Sequence, residues 1–270
     1  MWSHMDICGL QTYPGTGRDF NKMIAFSTCW NSARHTAGDV MLREIKTELG
    51  FDLIELGHGT RMSLIPGIQN MFDAGQVRFS SLHNFCPLPV EVMVASPDCY
   101  KFSAVPPEER ERAIKQTFQT IDFAQRLGAP FVVLHLGQVN MRPVTERLIE
   151  MAKAGNYLSR RYVRTKLRAV QERERIGSAY LQRMKDCLRR IIDYAGSKNI
   201  RLGIETRRGY EEIPTERELP AQIGVNGERA KIRRAINGIL FAFCLIEQYE
   251  CSGEHDRVSK RSIAPRTRAI

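Results

Sequence analysis

Five short apolar runs punctuate the sequence, and each is rich in residues that favour β-strands. The runs are IAFSTCW at 24–30, FDLIELG at 51–57, VRFSSLH at 77–83, PFVVLHLG at 130–137 and IRLGIET at 200–206. Their apolar residues are largely continuous rather than alternating with polar ones, which is typical of strands buried on both faces of a parallel sheet. The pattern therefore predicts five parallel strands.

The segments between these runs follow the period of an α-helix. Apolar residues recur every three or four positions, and Gly50 and Gly128 are placed as helix stops. The predicted apolar stripes comprise Met41, Ile45 and Leu49, then Ile114, Phe118, Ile121 and Leu127, and finally Leu181, Met184, Leu188, Ile191, Ile192 and Ala195.

Alternating strands and helices at this spacing form βαβ units. Five such units in series predict an α/β fold, either a (β/α)8 barrel of the TIM type or a doubly wound sheet. At 270 residues, with 43% hydrophobic and 26% charged residues, the chain is large enough for one barrel domain.

Composition restricts the compartment. The longest apolar run, INGILFAFCLI at 236–246, falls short of the roughly 20 residues that cross a bilayer, so we expect no membrane association. The N-terminus carries no secretion-signal pattern, and the seven cysteines form no C-x-x-C pair. These features predict a cytoplasmic protein with reduced thiols.

The chain is basic, with a formal net charge of +10, and much of the excess lies in an arginine-rich stretch at 158–190. Arginines at 160, 161, 164, 168 and 173 form either a solvated helix face or a clamp for a phosphorylated sugar or another anion. No motif of interleaved aromatic and basic residues, as found in nucleic-acid binding segments, accompanies the charge, so the sequence does not favour a nucleic-acid partner.

Acids and imidazoles stand where four of the predicted strands end. Glu55 ends the second run, His83 the third, His135 the fourth and Glu205 the fifth. Active sites of α/β barrels lie at this edge of the sheet. Imidazole and carboxylate ligands suit zinc, manganese, cobalt and related divalent ions, so the pattern predicts a metal site there.

These segments also resemble a known family. SSLHNFCP, LHLG and LGIET after successive strands, together with FDLIELG, are similar to the xylose-isomerase-like superfamily over roughly residues 23–216. The superfamily holds sugar phosphate isomerases and epimerases, inosose dehydratase-like enzymes and the endonuclease IV group. The resemblance implies a TIM barrel, a sugar or sugar phosphate substrate and a divalent cofactor such as Mn, Co, Zn or Mg.

The resemblance also implies roles for individual residues. Glu205 matches the strand-end glutamate that binds metal throughout the superfamily and is catalytic in its epimerases. His83 and His135 match metal ligands of the endonuclease IV branch, whereas the equivalent positions in sugar epimerases more often contact substrate. Glu55 matches an acid near the substrate pocket and is a second catalytic candidate. Trp30 is a candidate for stacking on the sugar ring.

The expected reaction is isomerisation or epimerisation through an enediolate. A carboxylate removes a proton from a carbon beside a carbonyl, and a divalent ion stabilises the negative charge that develops. Each assignment has a structural alternative: Glu205 could pair with Arg207 or Arg208, and the two histidines could have only structural roles. Cys86, three residues after His83, is either a metal ligand or a small buried residue.

The chain departs from the family pattern at both ends. We expect an N-terminal extension at 1–22, a partial barrel at 23–220 and an atypical tail at 221–270 that is out of frame or fused from elsewhere. Without strands six to eight the open sheet edge could form a homodimer. Two alternatives to the isomerase hypothesis therefore stay open: an endonuclease IV-like phosphodiesterase and an inactive truncated family member.

Overall fold

A computed structural model describes residues 24–205, 209–215 and 218. In this part of the chain five strands are connected by five α-helices, two of which lie between the fourth and fifth strands. The strands are β1 Phe26–Ser27, β2 Leu53–Leu56, β3 Arg78–His83, β4 Phe131–Leu134 and β5 Arg201–Ile204. The helices are α1 Gly38–Arg43, α2 Ile65–Asp73, α3 Pro107–Arg126, α4 Thr145–Lys153 and α5 Arg160–Ser197. Short 3₁₀ turns at Thr28–Trp30 and Met62–Leu64 and a π turn at Glu44–Glu48 complete these elements.

The strands form one parallel sheet in the order β1-β2-β3-β4-β5. A doubly wound sheet reverses its strand order part-way, whereas a barrel keeps neighbours in sequence order. The described residues therefore form five consecutive strands of a barrel with the helices that connect them, and the fold prediction is confirmed. Each strand lies inside its predicted run, although β1 covers only two residues because Ser27 caps the 3₁₀ turn that follows it.

The long helices confirm the predicted apolar stripes. Helix α3 buries Ile114 and Ile121, and it stops before Gly128, whose φ of 63° is the left-handed conformation that ends many helices. Helix α5 runs for 38 residues. Its buried face in the second half comprises Leu181, Met184, Cys187, Leu188, Ile191 and Ala195.

The first predicted stripe is wrong at its last residue. Met41 and Ile45 are fully buried, but Leu49 is 37% exposed. The π turn at Glu44–Glu48 is wider than an α-helical turn, and this widening rotates Leu49 away from the core. Gly50, with φ of 77°, still ends the segment as predicted.

The arginine-rich stretch divides into two kinds of residue. Arg160, Arg161, Arg164 and Arg168 are exposed on the first half of α5. Arg173 is instead buried, donates a hydrogen bond to the Tyr210 carbonyl and forms an ion pair of 2.8 Å with Glu218. Arg173 therefore joins α5 to the segment that follows β5, as expected of a buried charge with a partner.

Two further sequence predictions concern regions that the structure does not cover. The N-terminal extension and the atypical tail lie outside the described residues.

The described helices include none whose length and apolar character would suit a membrane span.

Glu44 ties the loop after β1 to the start of the helical region. Its carboxylate accepts hydrogen bonds from Arg34, from the Asn31 amide at 3.0 Å and from the His35 ring at 2.6 Å. The Arg34 guanidinium, helped by Asn31 and His35, lowers the pKa of Glu44 from 4.5 to about 2. Since the loop carries Trp30 and Cys29, this network fixes one wall of the barrel mouth.

We expect Glu44→Gln to lower the free energy of unfolding by about 1–2 kcal/mol at pH 7, after discounting for the solvent exposure of Arg34. A carboxylate whose pKa falls on folding stabilises the protein above its unfolded pKa. The difference between wild type and variant should therefore be full above pH 4.5 and shrink as the pH falls toward 2. Urea unfolding across this range measures it, with Glu48→Gln, an exposed residue four positions on, as the control. A difference that does not change with pH would contradict the assignment.

Candidate active site

The register of the sheet brings three of the predicted residues to one face. His83 pairs with Val133, and Val133 pairs with Gly203. His135 and Glu205 lie two residues beyond these partners, and residues two apart on a strand point to the same side. The ends of β3, β4 and β5 therefore present two imidazoles and one carboxylate side by side.

The three side chains meet at one oxygen atom. Nε2 of His83 lies 3.3 Å from Oε2 of Glu205, and Nε2 of His135 lies 3.2 Å from the same oxygen. The two imidazole rings are edge to face, with centroids 4.9 Å apart. Both histidines are buried, whereas the Glu205 side chain is 33% exposed. The cluster therefore opens toward solvent on the side of the carboxylate.

The other nitrogen of each imidazole is held by an acceptor. Nδ1 of His83 lies 3.0 Å from the Asn84 carbonyl, and Nδ1 of His135 lies 3.3 Å from a carboxylate oxygen of Asp98. Acceptors at Nδ1 place the proton there and direct Nε2 at the neighbouring group. Because Nε2 of each ring faces a carboxylate, a positive charge is needed between them, either as protons or as a metal ion.

The electrostatics of the cluster agree with this arrangement. Burial disfavours the charged form of His135, but hydrogen bonds with Asp98 and Glu205 outweigh it and raise the pKa of His135. Burial acts against ionisation of Glu205 too, yet the two imidazoles hold the pKa of Glu205 well below its usual range. The carboxylate is therefore ionised at neutral pH.

The donor set fits a divalent ion. His83, His135 and Glu205 each offer one atom, and these atoms lie within 4.8 Å of one another. Ligands bound at roughly 2.0–2.1 Å around a tetrahedral ion are roughly 3.3 Å apart, close to the separations of Nε2 and Oε2. Two imidazoles and a carboxylate are ligands of zinc, manganese and cobalt, and oriented imidazoles are typical of metal sites.

Glu55 lies outside this cluster. It pairs in the sheet with Ser81, two residues before His83, so it occupies the layer beneath the cluster. Its carboxylate is buried and accepts a hydrogen bond of 2.8 Å from the Ser81 hydroxyl. Trp30 also lies apart: the ring is 48% exposed, packs edge to face on Phe26 and is covered by the Arg34 guanidinium at 4.1 Å.

Cys86, the other candidate from the sequence, and its neighbour Phe85 are core residues. Cys86 is fully buried, and this burial raises the pKa of its thiol. It therefore acts as a small apolar side chain. Phe85 is likewise buried against Tyr100 and Phe102, so its ring packs in the core rather than facing a ligand.

Sequence reasoning did not identify Asp98, Cys29 or His58 as site residues. Asp98 reaches His135 from a loop, a contact that no local pattern indicates. His58 packs edge to face on His83 with ring centroids 5.4 Å apart. Burial, followed by the two neighbouring imidazoles, lowers the pKa of His58 to about 4. Cys29 lies beside His58.

Comparison with known protein families agrees with the order of the strands in the sheet. Residues 44–215, more than half of the chain, match the family model described as the xylose isomerase-like TIM barrel. The chain belongs to the xylose isomerase-like TIM barrel family.

One solved structure supports the fold of this xylose isomerase-like chain. A provisionally assigned xylose isomerase from Rhodospirillum rubrum is 15% identical, with a TM-score of 0.51, and the match covers 78% of this chain and 64% of that one. A D-tagatose 3-epimerase-like protein is 16% identical, with a TM-score of 0.41 and coverages of 69% and 55%. The chain thus spans less than two thirds of the length of either structure. A comparison with curated proteins gave no match.

Proposed function

We propose that this xylose isomerase-like chain is a divalent-metal-dependent isomerase or epimerase of a sugar or sugar phosphate. The observation that carries the proposal is the convergence of His83 and His135 on one carboxylate oxygen of Glu205 at the barrel edge. The family supplies the fold, and this cluster supplies groups that suit proton transfer beside a carbonyl.

In this proposal His83, His135 and Glu205 hold the ion. When bound, a divalent ion would polarise the sugar carbonyl and stabilise negative charge on its oxygen. The acceptors at Nδ1, Asn84 and Asp98, keep both rings oriented so that Nε2 points at the pocket. The burial of both histidines limits water at the reacting oxygens.

Proton transfer falls to the carboxylate. Oε2 of Glu205 makes both contacts with the imidazoles, so we assign Oε1 to accepting the proton from the sugar carbon. The depressed pKa of Glu205 keeps this carboxylate ionised at neutral pH, so its oxygens carry no proton. The imidazole of His135, whose pKa is raised, is suited to donating a hydrogen bond to a sugar oxygen when it does not bind the ion.

Glu55 and Trp30 receive supporting roles. Glu55 lies in the layer below the cluster, and its hydrogen bond with Ser81 gives it a packing role beneath the site rather than contact with substrate. Trp30, half exposed at the mouth and held by Phe26 and Arg34, offers an aromatic surface to the apolar face of a sugar ring.

Deuterium exchange tests the proposed reaction directly. The substrates are a panel of ketoses and aldoses, phosphorylated and free, and NMR follows the exchange. We expect the manganese- or cobalt-loaded chain to incorporate solvent deuterium at the carbon beside the carbonyl of one or more of these sugars. His135→Gln should lower this rate by at least about 100-fold, because the ligand atom Nε2 and the contact of the ring with Asp98 are both lost. His35→Gln, a histidine outside the cluster, is the control. Failure of the loaded chain to exchange any sugar of the panel would refute the proposal.

A metal-dependent phosphodiesterase like endonuclease IV is the second candidate. The two imidazoles at the cluster favour it, since the family resemblance gives these positions to metal ligands in that branch. The exposed arginines of α5 would offer contacts to a phosphate backbone. Cleavage of DNA at abasic sites, weakening steeply with added salt, would favour this candidate over the sugar reaction.

A further inference from the structure

A thiol and an imidazole meet at the mouth of the barrel, in the segments that follow β1 and β2, beside the metal-ligand cluster. Cys29 lies in the 3₁₀ turn after β1, and His58 lies in the loop after β2. The Cys29 sulfur is 3.6 Å from Nδ1 of His58. Neither residue has a part in the function proposed above.

The backbone is built to bring these two side chains together. A Cβ atom placed on Gly57 would lie 2.3 Å from the Cys29 sulfur, so only a glycine leaves room for the thiol there. The Gly57 amide donates a hydrogen bond of 2.8 Å to the Thr28 hydroxyl, which fixes the two loops against each other. The contact of Cys29 with His58 is therefore set by the backbone.

The separation of these two atoms suits a shared ion. Zinc binds sulfur at roughly 2.3 Å and imidazole nitrogen at roughly 2.0–2.1 Å, which puts tetrahedral S and N ligands roughly 3.5 Å apart. Thiolate and imidazole together select soft or borderline ions over magnesium or calcium. The pair also lines a cavity of about 150 Å³ with Ser32, Arg61 and Met93, which leaves space for water or an anion as further ligands.

We propose that Cys29 and His58 form a second cation site, for a thiophilic divalent ion such as zinc or cadmium, separate from the cluster of His83, His135 and Glu205. On binding, the sulfur–hydrogen bond of Cys29 breaks, a sulfur–metal bond forms and the proton leaves to solvent. Water completes the coordination in the cavity. Because His58 packs on His83, an ion at this site narrows the approach to the cluster.

Cadmium alone is the probe, because a cadmium–thiolate bond has an ultraviolet charge-transfer band. We expect cadmium titration of the full chain, under reducing and chelator-free conditions, to produce this band. Cys29→Ser should remove the Cys29 contribution, and His58→Gln should weaken cadmium affinity at least about 10-fold by removing the second ligand. Cys187→Ser, a buried cysteine on α5, is the matched control and should keep the band.

The same titration separates this site from the cluster. His135→Gln should keep the band, because the cluster contains no thiol. A band of unchanged amplitude in Cys29→Ser, or unchanged affinity in His58→Gln, would overturn the proposal. Loss of the band in His135→Gln would also overturn it, since the thiolate would then share the ion of the cluster. These outcomes do not depend on whether the chain isomerises sugars.

Discussion

Replacing Glu205 with glutamine is expected to abolish stabilisation of the protein by manganese. An ion at 100 times its dissociation constant raises the free energy of unfolding by about 2.7 kcal/mol, which is roughly 5–10 °C in Tm for a domain of this size. Wild type should show this increase with manganese, an ion that the thiol of the Cys29–His58 site does not favour. Glu205→Gln should lose it, because Glu205 supplies the oxygen on which both imidazoles converge.

The increment, not the absolute Tm, carries this test. Without metal, the glutamine variant also loses the carboxylate that faces two imidazoles, so its baseline stability changes as well. Thermal melts with and without ion therefore need a control variant that removes a different carboxylate close to the cluster. Glu55→Gln serves, because Glu55 is buried one layer below and outside the cluster. Equal increments in wild type and Glu205→Gln would remove Glu205 from the site.

The strand-end cluster was predictable because two simple rules act on it. Continuous apolar runs marked the strands, and the ends of parallel strands share one edge. The residue that ends β3, and those that directly follow β4 and β5, were therefore expected to approach each other, and the structure brings His83, His135 and Glu205 within 4.8 Å. Glu55 follows the same rule only in part, because it pairs with Ser81 and so lies one layer below the level of His83 in the barrel.

The partners of the cluster were not predictable in the same way. Asp98 reaches His135 across 37 positions of the sequence from an irregular loop, and Cys29 meets His58 across 29. Such contacts depend on how loops fold over the sheet edge, and no period of the sequence encodes that. Gly57 was a hint, because a glycine after a buried strand often marks a close backbone approach.

The other wrong prediction concerned which face of the first helical segment is buried, and it has a local cause. A stripe at every fourth residue assumes an unbroken α-helix, but the π turn after α1 turns Leu49 to solvent. A glycine does not always end a helix in this chain. Gly177 lies inside that 38-residue helix, where it packs near Arg173 and Val139 rather than ending the helix.

Substituting Gly38 with alanine is expected to have the largest effect on stability. Gly38 begins α1, and a Cβ atom there would lie 1.9 Å from the Leu64 carbonyl oxygen and 2.8 Å from the Ile68 amide. Gly67 mirrors this contact, since its Cβ would lie 2.4 Å from the Asp39 amide. The atoms met are backbone atoms, which cannot rotate away. We expect Gly38→Ala to cost about 3 kcal/mol or more in urea unfolding.

Gly196→Ala is the matched control, because Gly196 lies in α5 and a Cβ atom there would meet no other atom within 4 Å. Alanine there should raise the free energy of unfolding by about 0.5–1 kcal/mol, through its better helix propensity and lower unfolded-state entropy. Opposite signs for one substitution would show that backbone contact decides the outcome. If Gly38→Ala stays within about 1 kcal/mol of wild type, α1 and α2 do not pack this closely. The loop between β2 and α2, which carries His58, would then lack the rigid support that its contacts with His83 and Cys29 require.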